Sequence, residues 1–152
     1  MRRPRVHDAL GLSNEKGLST ILRGPGRVRD VIQRSTDPNL LVICAGPALA
    51  NSSELLGSER MAALVASLRR SPFEWVIIDT PPVLAATDAV VVSPHTDAMV
   101  FVVGSGATRR RLARRAVETL VNGGAPPLCA LLNNVNVARH RYYYSRRYGY
   151  HS

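Results

Sequence analysis

The chain has 152 residues, 45% of them hydrophobic and 20% charged, which is the composition of one globular domain. Its formal net charge of +9 comes from twenty basic residues, nineteen of which are arginine. Arginine favours phosphate, anionic lipid and nucleic acid as partners, although solvated arginine faces are an alternative explanation. Two cysteines exclude a disulfide framework, and no apolar stretch approaches the ~18–20 residues that span a bilayer, so the sequence predicts a cytoplasmic chain.

The first part of the chain predicts short helices and one buried strand. Residues 15–23 are expected to form a helix, and residues 28–34 a further helical turn or two. Residues 40–45 are a continuous apolar run that ends at Gly46. Such a run is typical of a strand that is buried on both faces.

The next predicted element is a helix with two candidate starts. Asn51, with Glu54 three residues later, resembles a capping box. Ser58 is expected to restart the helix, which then continues to Arg70. Apolar residues at helical spacing predict its core-facing side: Met61, Leu64, Val65 and Leu68.

Three more strands and one long helix are predicted in the second part. Residues 75–79 form an apolar strand that ends on Asp79, and residues 98–103 and 128–132 form two others. Residues 108–121 form an amphipathic helix with arginines on its solvent side. Because solidly apolar strands alternate with helices, we expect an α/β fold in which a parallel sheet is flanked by helices.

Both cysteines lie inside predicted strands. Cys44 belongs to the first apolar run and Cys129 to the last, and neither has a second cysteine or a histidine nearby at metal-ligand spacing. We therefore expect two buried, reduced thiols.

The ends of the predicted strands carry the candidate site. Ligands of open α/β sheets bind at the carboxyl ends of the strands, where this sequence places Gly46, Asp79 and Asn133. Mg²⁺ prefers one or two carboxylates together with substrate phosphates, so Asp79 is a candidate magnesium ligand. The alternative is that Asp79 only caps its loop.

All five tyrosines lie in the last eleven residues, among arginines: Tyr142, Tyr143, Tyr144, Tyr148 and Tyr150. No aliphatic residue follows Ala138, so the sequence predicts a disordered tail over residues 139–152. A domain normally places phenol rings in its core or at a pocket. Their concentration in the tail indicates that the hydroxyl groups are the functional part.

Several segments resemble the cytoplasmic kinase domain of bacterial tyrosine kinases, which belong to the MinD/ParA-like branch of P-loop ATPases. The apolar run before residues 79–82 (D-T-P-P) resembles the Walker B motif of that family. Residues 1–4 (M-R-R-P) resemble the end of its second Walker motif, D-x-D-x-R. Residues 53–56, residues 87–89 and the terminal tyrosine cluster also match in order, so the resemblance covers essentially the whole chain.

This resemblance implies a chemistry. Mg²⁺ and ATP would bind at the carboxyl edge of the sheet, with Asp79 as the catalytic metal ligand, Arg2 matching the arginine of the second Walker motif and Asn133 near the adenine. A tail tyrosine would attack the γ-phosphate of ATP in trans, so neighbouring copies in a homo-oligomer would phosphorylate one another.

The resemblance also implies a function and a location. The complete protein would be an autokinase that regulates capsular or exopolysaccharide biosynthesis and export. Its partner would be a membrane polysaccharide co-polymerase or activator protein. It would work at the inner face of the plasma membrane, which it would reach through that partner or through a missing N-terminal segment.

The sequence departs from the family pattern in the loop that would bind the phosphates of ATP. It has no G-x-x-x-x-G-K-[ST] loop, and the glycine-rich residues 104–108 lack a lysine and predict a plain strand–helix turn. We therefore expect residues 1–138 to be a partial P-loop domain that lacks N-terminal strands, exposes apolar edges and is inactive alone. Met1 would be an internal methionine of a longer reading frame or the start of a degenerate remnant.

The main alternative function is nucleic-acid binding by a MinD/ParA-like remnant. Arginines of the 109–115 segment and of the tail would contact phosphates, and the tail tyrosines would stack on bases. A tail without any role is a further alternative. Under the kinase interpretation, phosphorylation would turn the basic tail acidic, and we hypothesise that this change loosens an oligomer.

Overall fold

The computed structural model describes residues 4–136. The chain divides into two compact units, Met1–His95 and Thr96–Ser152, which we call the N-terminal and C-terminal units. The predictions for Arg2 and for the tail, residues 139–152, fall outside the described residues. Among the helices of residues 4–136, none is both long enough and apolar enough to cross a lipid bilayer.

The N-terminal unit consists of short helices and a two-stranded hairpin. In chain order it contains α1 (Val6–Leu10), α2 (Leu18–Arg23), a 3₁₀ turn (Val28–Asp30), β1 (Ile32–Arg34), β2 (Leu41–Ile43), α3 (Ser52–Leu56), α4 (Glu59–Arg69), α5 (Asp88–Val92) and a second 3₁₀ turn (Ser93–His95). Residues 28–34, predicted to be helical, thus form a 3₁₀ turn followed by a strand. Buried apolar side chains from these elements form one core: Ile21, Leu22, Val31, Leu56, Met61, Leu64, Val65 and Val92.

The helical prediction for residues 51–70 is confirmed, with a break between α3 and α4. The two helices begin directly after Asn51 and Ser58, the two predicted caps. Neither residue caps its helix with its side chain, and Ser58 Oγ instead donates to the Leu55 carbonyl at 2.7 Å. The predicted core-facing side of α4 is correct, because its apolar residues are buried or pack against the core: Met61, Leu64, Val65 and Leu68.

The strand predicted at residues 40–45 exists, but its parallel pairing is wrong. β2 is antiparallel to β1, with Ile32 opposite Ile43. A polar turn joins the two strands, and across it the Ser35 amide donates to the Leu40 carbonyl at 3.2 Å. An apolar run reports the burial of a strand but not its direction, and a short turn allows the antiparallel neighbour.

A close backbone approach sets the start of α2, which begins later than predicted. The Leu18 amide donates to the Cys44 carbonyl at 2.8 Å. A Cβ atom on Gly17 would collide with that carbonyl oxygen, so a side chain at this position has no room. Gly46 has a φ of 75°, and its amide donates to Asn14 Oδ1 at 2.8 Å. These contacts tie the segment before α2 to the end of β2.

The strand predicted at residues 75–79 is wrong for the described part of the chain. These residues adopt no helix or strand, and no backbone hydrogen bond joins them to another described residue. Trp75 is 84% exposed and Ile77 is 88% exposed, whereas Ile78 packs against the core. A strand needs neighbours that satisfy its N–H and C=O groups, and residues 4–136 provide none here.

The C-terminal unit is a parallel strand–helix–strand unit. It contains β3 (Met99–Gly104), α6 (Arg110–Asn122) and β4 (Leu128–Asn133). The parallel pairing of β3 with β4 runs from Met99 opposite Leu128 to Gly104 opposite Asn133. All three predicted elements are therefore confirmed within two residues at each end, and the α/β fold class is confirmed.

The two cysteines differ in burial. Cys44 is a free thiol and is 1% exposed, as predicted. Cys129 is also free, but it is exposed, so the prediction of burial is wrong. Within residues 4–136 the parallel sheet has two strands, so β4 keeps an open edge there, and most of its side chains are exposed.

Candidate functional site

Asp79 has an exposed carboxylate on a loop that is anchored at both ends. Just before it, Ile78 packs against the core of the N-terminal unit. After it, the Pro82 carbonyl accepts a hydrogen bond from the Ala85 amide at 2.8 Å, which forms a turn that leads into α5. The loop therefore exposes the Asp79 carboxylate to solvent, while contacts at both of its ends hold the loop in place.

This arrangement fits a magnesium ion that takes most of its ligands from elsewhere. Within residues 4–136, no three His, Cys, Asp or Glu side chains come together as a metal site. Mg²⁺ keeps several waters and binds one or two carboxylates together with substrate phosphates. The single exposed carboxylate of Asp79 therefore suits a magnesium ion that arrives with a nucleotide, and it does not form a complete metal site.

The structure also shows a buried carboxylate to which the sequence analysis gave no role. Asp88, the first residue of α5, is 1% exposed. Ser53 Oγ in α3 donates to Asp88 Oδ1 at 3.1 Å, and Thr87 Oγ1 donates to Ser53 Oγ at 3.4 Å. A buried carboxylate requires such donors, so this cluster fixes α5 against α3 directly after the Asp79 loop. In the sequence these residues stand out only as parts of family-like motifs.

Asn133 is the last residue of β4 in the C-terminal unit. Its backbone carbonyl accepts a hydrogen bond from the Ser105 amide at 2.8 Å, which extends the parallel pairing by one bond. Its side-chain Oδ1 accepts from the Asn134 amide at 2.9 Å, and Asn134 has a φ of 57°. The predicted position at the carboxyl end of a strand is thus correct, and the side chain is exposed there.

The glycine-rich segment 104–108 forms a plain turn between β3 and α6, as predicted. The Gly104 carbonyl accepts hydrogen bonds from the Ala107 amide at 3.3 Å and from the Thr108 amide at 3.0 Å. These bonds close the loop on itself, and no lysine accompanies it. Nothing in this turn resembles a loop built to surround phosphates.

The remaining predicted site residues lie outside the described residues. They are Arg2 and the five tail tyrosines, Tyr142, Tyr143, Tyr144, Tyr148 and Tyr150. Asp79 belongs to the N-terminal unit and Asn133 to the C-terminal unit.

Sequence comparison relates the chain to tyrosine kinases, although no protein-family model matches it. It is 34% identical over 143 residues to tyrosine-protein kinase YwqD of Bacillus subtilis, covering 94% of this chain and 60% of YwqD. It is 39% identical over 120 residues to tyrosine-protein kinase wzc of Salmonella typhi, covering 79% of this chain and 15% of wzc. It is 30% identical over 121 residues to tyrosine-protein kinase CpsD of Streptococcus agalactiae, covering 80% of this chain and 52% of CpsD.

Structural comparison gives a consistent result. The chimerical protein CapA2B2 matches with a TM-score of 0.81 and 34% identity, covering 88% of this chain and 59% of that one. The VpsO kinase domain matches with a TM-score of 0.80 and 29% identity, covering 89% of this chain and 66% of the VpsO chain. The kinase domain of the Escherichia coli tyrosine kinase ETK matches with a TM-score of 0.77 and 30% identity, covering 89% of this chain and 54% of the ETK chain. The chain thus shares the fold of these proteins and spans 54% to 66% of their length.

Proposed function

This chain is a member of the bacterial tyrosine-protein kinase family, and we propose that it is the C-terminal portion of an ATP-dependent protein-tyrosine autokinase. We further propose that the kinase regulates capsular or exopolysaccharide biosynthesis and export. The observation that carries the proposal is the 34% identity to YwqD over 94% of this chain. The concentration of all five tyrosines at one end of the sequence supports it independently.

Within this proposal, Asp79 is the magnesium ligand and the central catalytic residue. Mg²⁺ bound with ATP would neutralise the negative charge of the phosphates during transfer. An exposed carboxylate on an anchored loop supports this role, since it can bind the ion without rearranging the core. We place Asn133 near the adenine, where its amide can both donate and accept hydrogen bonds, and Arg2 at the nucleotide.

The tail tyrosines are the proposed phosphate acceptors: Tyr142, Tyr143, Tyr144, Tyr148 and Tyr150. The hydroxyl oxygen of one of them would bond to the γ-phosphorus of ATP on a neighbouring copy while the bond from that phosphorus to the bridging oxygen breaks. ADP would leave, and the hydroxyl proton would be released to solvent. Homo-oligomerisation is therefore part of the proposal, because a tail working in trans needs a second copy. A phosphotyrosine carries roughly −1.5 to −2 charges, so the product differs strongly from the basic substrate.

The proposed activity requires a phosphate-binding segment in addition to these 152 residues. The sequence has no G-x-x-x-x-G-K-[ST] loop, and this chain alone is expected to be inactive. The exposed apolar residues Trp75 and Ile77 support the same conclusion, since they have the side chains of an inner strand and no strand of residues 4–136 lies beside them. We propose that such a segment adds strands to the sheet and supplies the loop.

We propose a membrane polysaccharide co-polymerase or activator as the partner, and the inner face of the plasma membrane as the location. The net charge of +9 supports a position beside an anionic surface. Nucleic-acid binding receives no support from the comparisons, in which the matching proteins are tyrosine kinases.

The test is a chimera in which a phosphate-binding segment from a related kinase is placed ahead of Met1. With Mg-ATP, we expect phosphate on the tail tyrosines by mass spectrometry, and none on the 152-residue chain alone. Asp79→Asn in the chimera is expected to lower the rate by about a hundredfold or more, because the carboxylate proposed to bind Mg²⁺ beside the transferring phosphate is lost.

Glu74→Gln is the matched control, since it removes a negative charge from an exposed residue shortly before Asp79. It should leave the rate unchanged within about threefold, as expected for a surface charge. A chimera that binds ATP and yields no phosphotyrosine would overturn the proposed function.

A further inference from the structure

The solvent face of α6 is a dense cluster of positive charge. Arg110, Arg111, Arg114 and Arg115 are exposed, and helical periodicity places them opposite the buried Ala116 and Leu120. We call these four arginines the α6 basic face. Glu118 is the single acidic residue of α6, and it pairs with Arg114 at 3.0 Å. The face therefore keeps most of its positive charge unneutralised within the helix.

The chain leaves the sheet beside the start of this helix. The Asn133 carbonyl, at the end of β4, accepts a hydrogen bond from the Ser105 amide at 2.8 Å. Ser105 lies in the short turn that leads directly into α6, where the Thr108 amide is bonded back to Gly104 at 3.0 Å. The point from which the chain continues toward its tyrosines is thus adjacent to the loop that begins α6.

We infer that the α6 basic face is a docking site for the phosphorylated tail of the same chain. The inference rests on the proposed function, which supplies the phosphotyrosines. Arginine binds phosphate through two parallel hydrogen bonds, and a row of arginines on one helix face can bind several phosphates at once. Phosphorylation is then the signal that attaches the tail to α6.

The charges make this docking conditional on phosphorylation. The unmodified tail carries four arginines and no acidic residue, so the basic face repels it. Five phosphotyrosines add about −8 to −10 charges, which reverses the sign of the tail and makes the same face attractive. The α6 basic face therefore repels the unmodified tail and attracts the phosphorylated tail.

The tail is long enough to reach the face. Tyr142 and Tyr150 follow Asn133 by nine and seventeen residues. Nine extended residues span at most about 30 Å, whereas a helix of 13 residues is about 20 Å long. Because the tail is tethered to the same unit, its effective concentration at α6 is in the millimolar range. A tail bound there would be withdrawn from the Asp79 site of a neighbouring copy.

The test is a fluorescence-anisotropy titration of the full 152-residue chain into a labelled synthetic peptide of residues 139–152. The peptide is prepared with five phosphotyrosines and, separately, with five tyrosines. We expect the phosphopeptide to bind at least about tenfold more tightly than the unmodified peptide, and the difference to shrink with added salt. Because the peptide is synthetic, this result does not depend on kinase activity, and its failure is distinct from that of the proposed function.

A charge-matched pair of variants locates the binding. Arg110→Gln, Arg111→Gln, Arg114→Gln and Arg115→Gln together should weaken phosphopeptide binding by about tenfold or more. Gln has nearly the helix propensity of Arg, so α6 should persist, which circular dichroism checks. The control removes four exposed arginines from the N-terminal unit instead, and it should bind as the wild type does: Arg5→Gln, Arg23→Gln, Arg34→Gln and Arg70→Gln.

A second measurement tests docking within one chain. After an added tyrosine kinase has phosphorylated the tail of the full chain, its own tail should occupy α6. Binding of the labelled phosphopeptide should then fall by about tenfold or more. If the α6 basic-face variant does not fold, this measurement on the wild-type chain tests by itself whether the phosphorylated tail docks on α6.

Three outcomes would overturn the inference. Equal losses in the basic-face variant and in the control would mean that only net charge matters. Undiminished peptide binding after phosphorylation of the chain would exclude docking of its own tail. Vesicles with ~30% anionic lipid that bind through the basic face, while the phosphopeptide does not, would make α6 a membrane-binding surface instead.

Discussion

At the scale of single residues, Cys44 shows how burial changes chemistry. Burial raises the pKa of its thiol, although a hydrogen bond from Gln33 Nε2, at 3.7 Å, acts in the opposite direction. Cys129 is exposed on β4, so the chain offers one buried and one accessible thiol. The sequence places both cysteines in apolar runs and cannot distinguish them, because their burial depends on what packs over each strand.

We expect the Cys44 thiol to make the stability of the chain fall at alkaline pH. A raised pKa in the folded state means that the unfolded thiol ionises first, so its contribution is complete below the unfolded pKa of about 8.5 and decreases above it. Urea unfolding of the wild type and of Cys44→Ala at pH 7 and pH 10 measures this. The stability difference between the two proteins should shrink as the pH rises.

Thiol labelling provides the independent check on that prediction. In the native chain at pH 8, a thiol reagent should modify Cys129 rapidly and Cys44 only after unfolding. Equal labelling rates for the two cysteines would contradict the burial on which the pH dependence rests.

At the scale of elements, residues 75–79 and β3 show that strand propensity alone does not make a strand, because a second strand must also pair with the segment. Both segments are apolar and β-branched, and both are predicted to be strands. β3 forms a strand because β4 lies parallel to it and bonds to it. Residues 75–79 have the same local preference but no described neighbouring strand, so they remain irregular and, apart from Ile78, exposed. The sequence could not predict this, because pairing is a property of two segments.

The two isoleucines of this segment allow a matched test. Ile78→Ala should destabilise the 152-residue chain by about 1–2 kcal/mol, since Ile78 packs against the core while remaining partly exposed. Ile77→Ala should have an effect within about 0.5 kcal/mol, because its side chain is 88% exposed. Urea unfolding of the two variants, measured in parallel, compares the same change at neighbouring positions.

The same two isoleucine variants test whether an added segment completes the sheet. In the chimera that carries a phosphate-binding segment, Ile77→Ala should become destabilising by about 1 kcal/mol or more, because the added segment is expected to pack over its side chain. A large effect of Ile77→Ala in the chain alone would instead mean that residues 75–79 are already covered in solution.

At the scale of the whole molecule, the dominant property is its positive charge. The formal net charge is +9, and four of the arginines lie in the tail with the five tyrosines. Phosphorylation of the tail would therefore change the charge of the entire molecule as well as of one segment. An assembly in which the tail of one copy approaches the proposed Asp79 site of another would respond to that change.

We expect a tail with negative charge to weaken the oligomer of the chimera. Replacing the five tyrosines by glutamate lowers the formal net charge from +9 to +4 for the residues of this chain and makes the tail slightly acidic. Repulsion between that tail and the proposed nucleotide site of a neighbour should shift the population toward smaller species, as measured by light scattering at physiological salt.

The control for this prediction replaces the five tyrosines by phenylalanine. It keeps the rings and the charge while removing the hydroxyls, and it should leave the assembly unchanged. An unaltered size distribution in the glutamate variant would exclude charge as the cause of disassembly.

The sequence by itself determined the local features of this protein. Apolar runs, arginine spacing and helix starts predicted α4, α6, β3 and β4, because each depends on residues close in the chain. The motif around Asp79 and the clustered tyrosines likewise predicted the family without any coordinates.

Only the tertiary structure decided which of these segments find partners. It made β2 antiparallel, left residues 75–79 without a strand partner among residues 4–136, required glycine at position 17 and buried Asp88, which accepts a hydrogen bond from Ser53. It also showed that β4 ends beside the loop that begins α6. Each of these outcomes depends on contacts between residues far apart in sequence, and local composition and periodicity carry no information about such contacts.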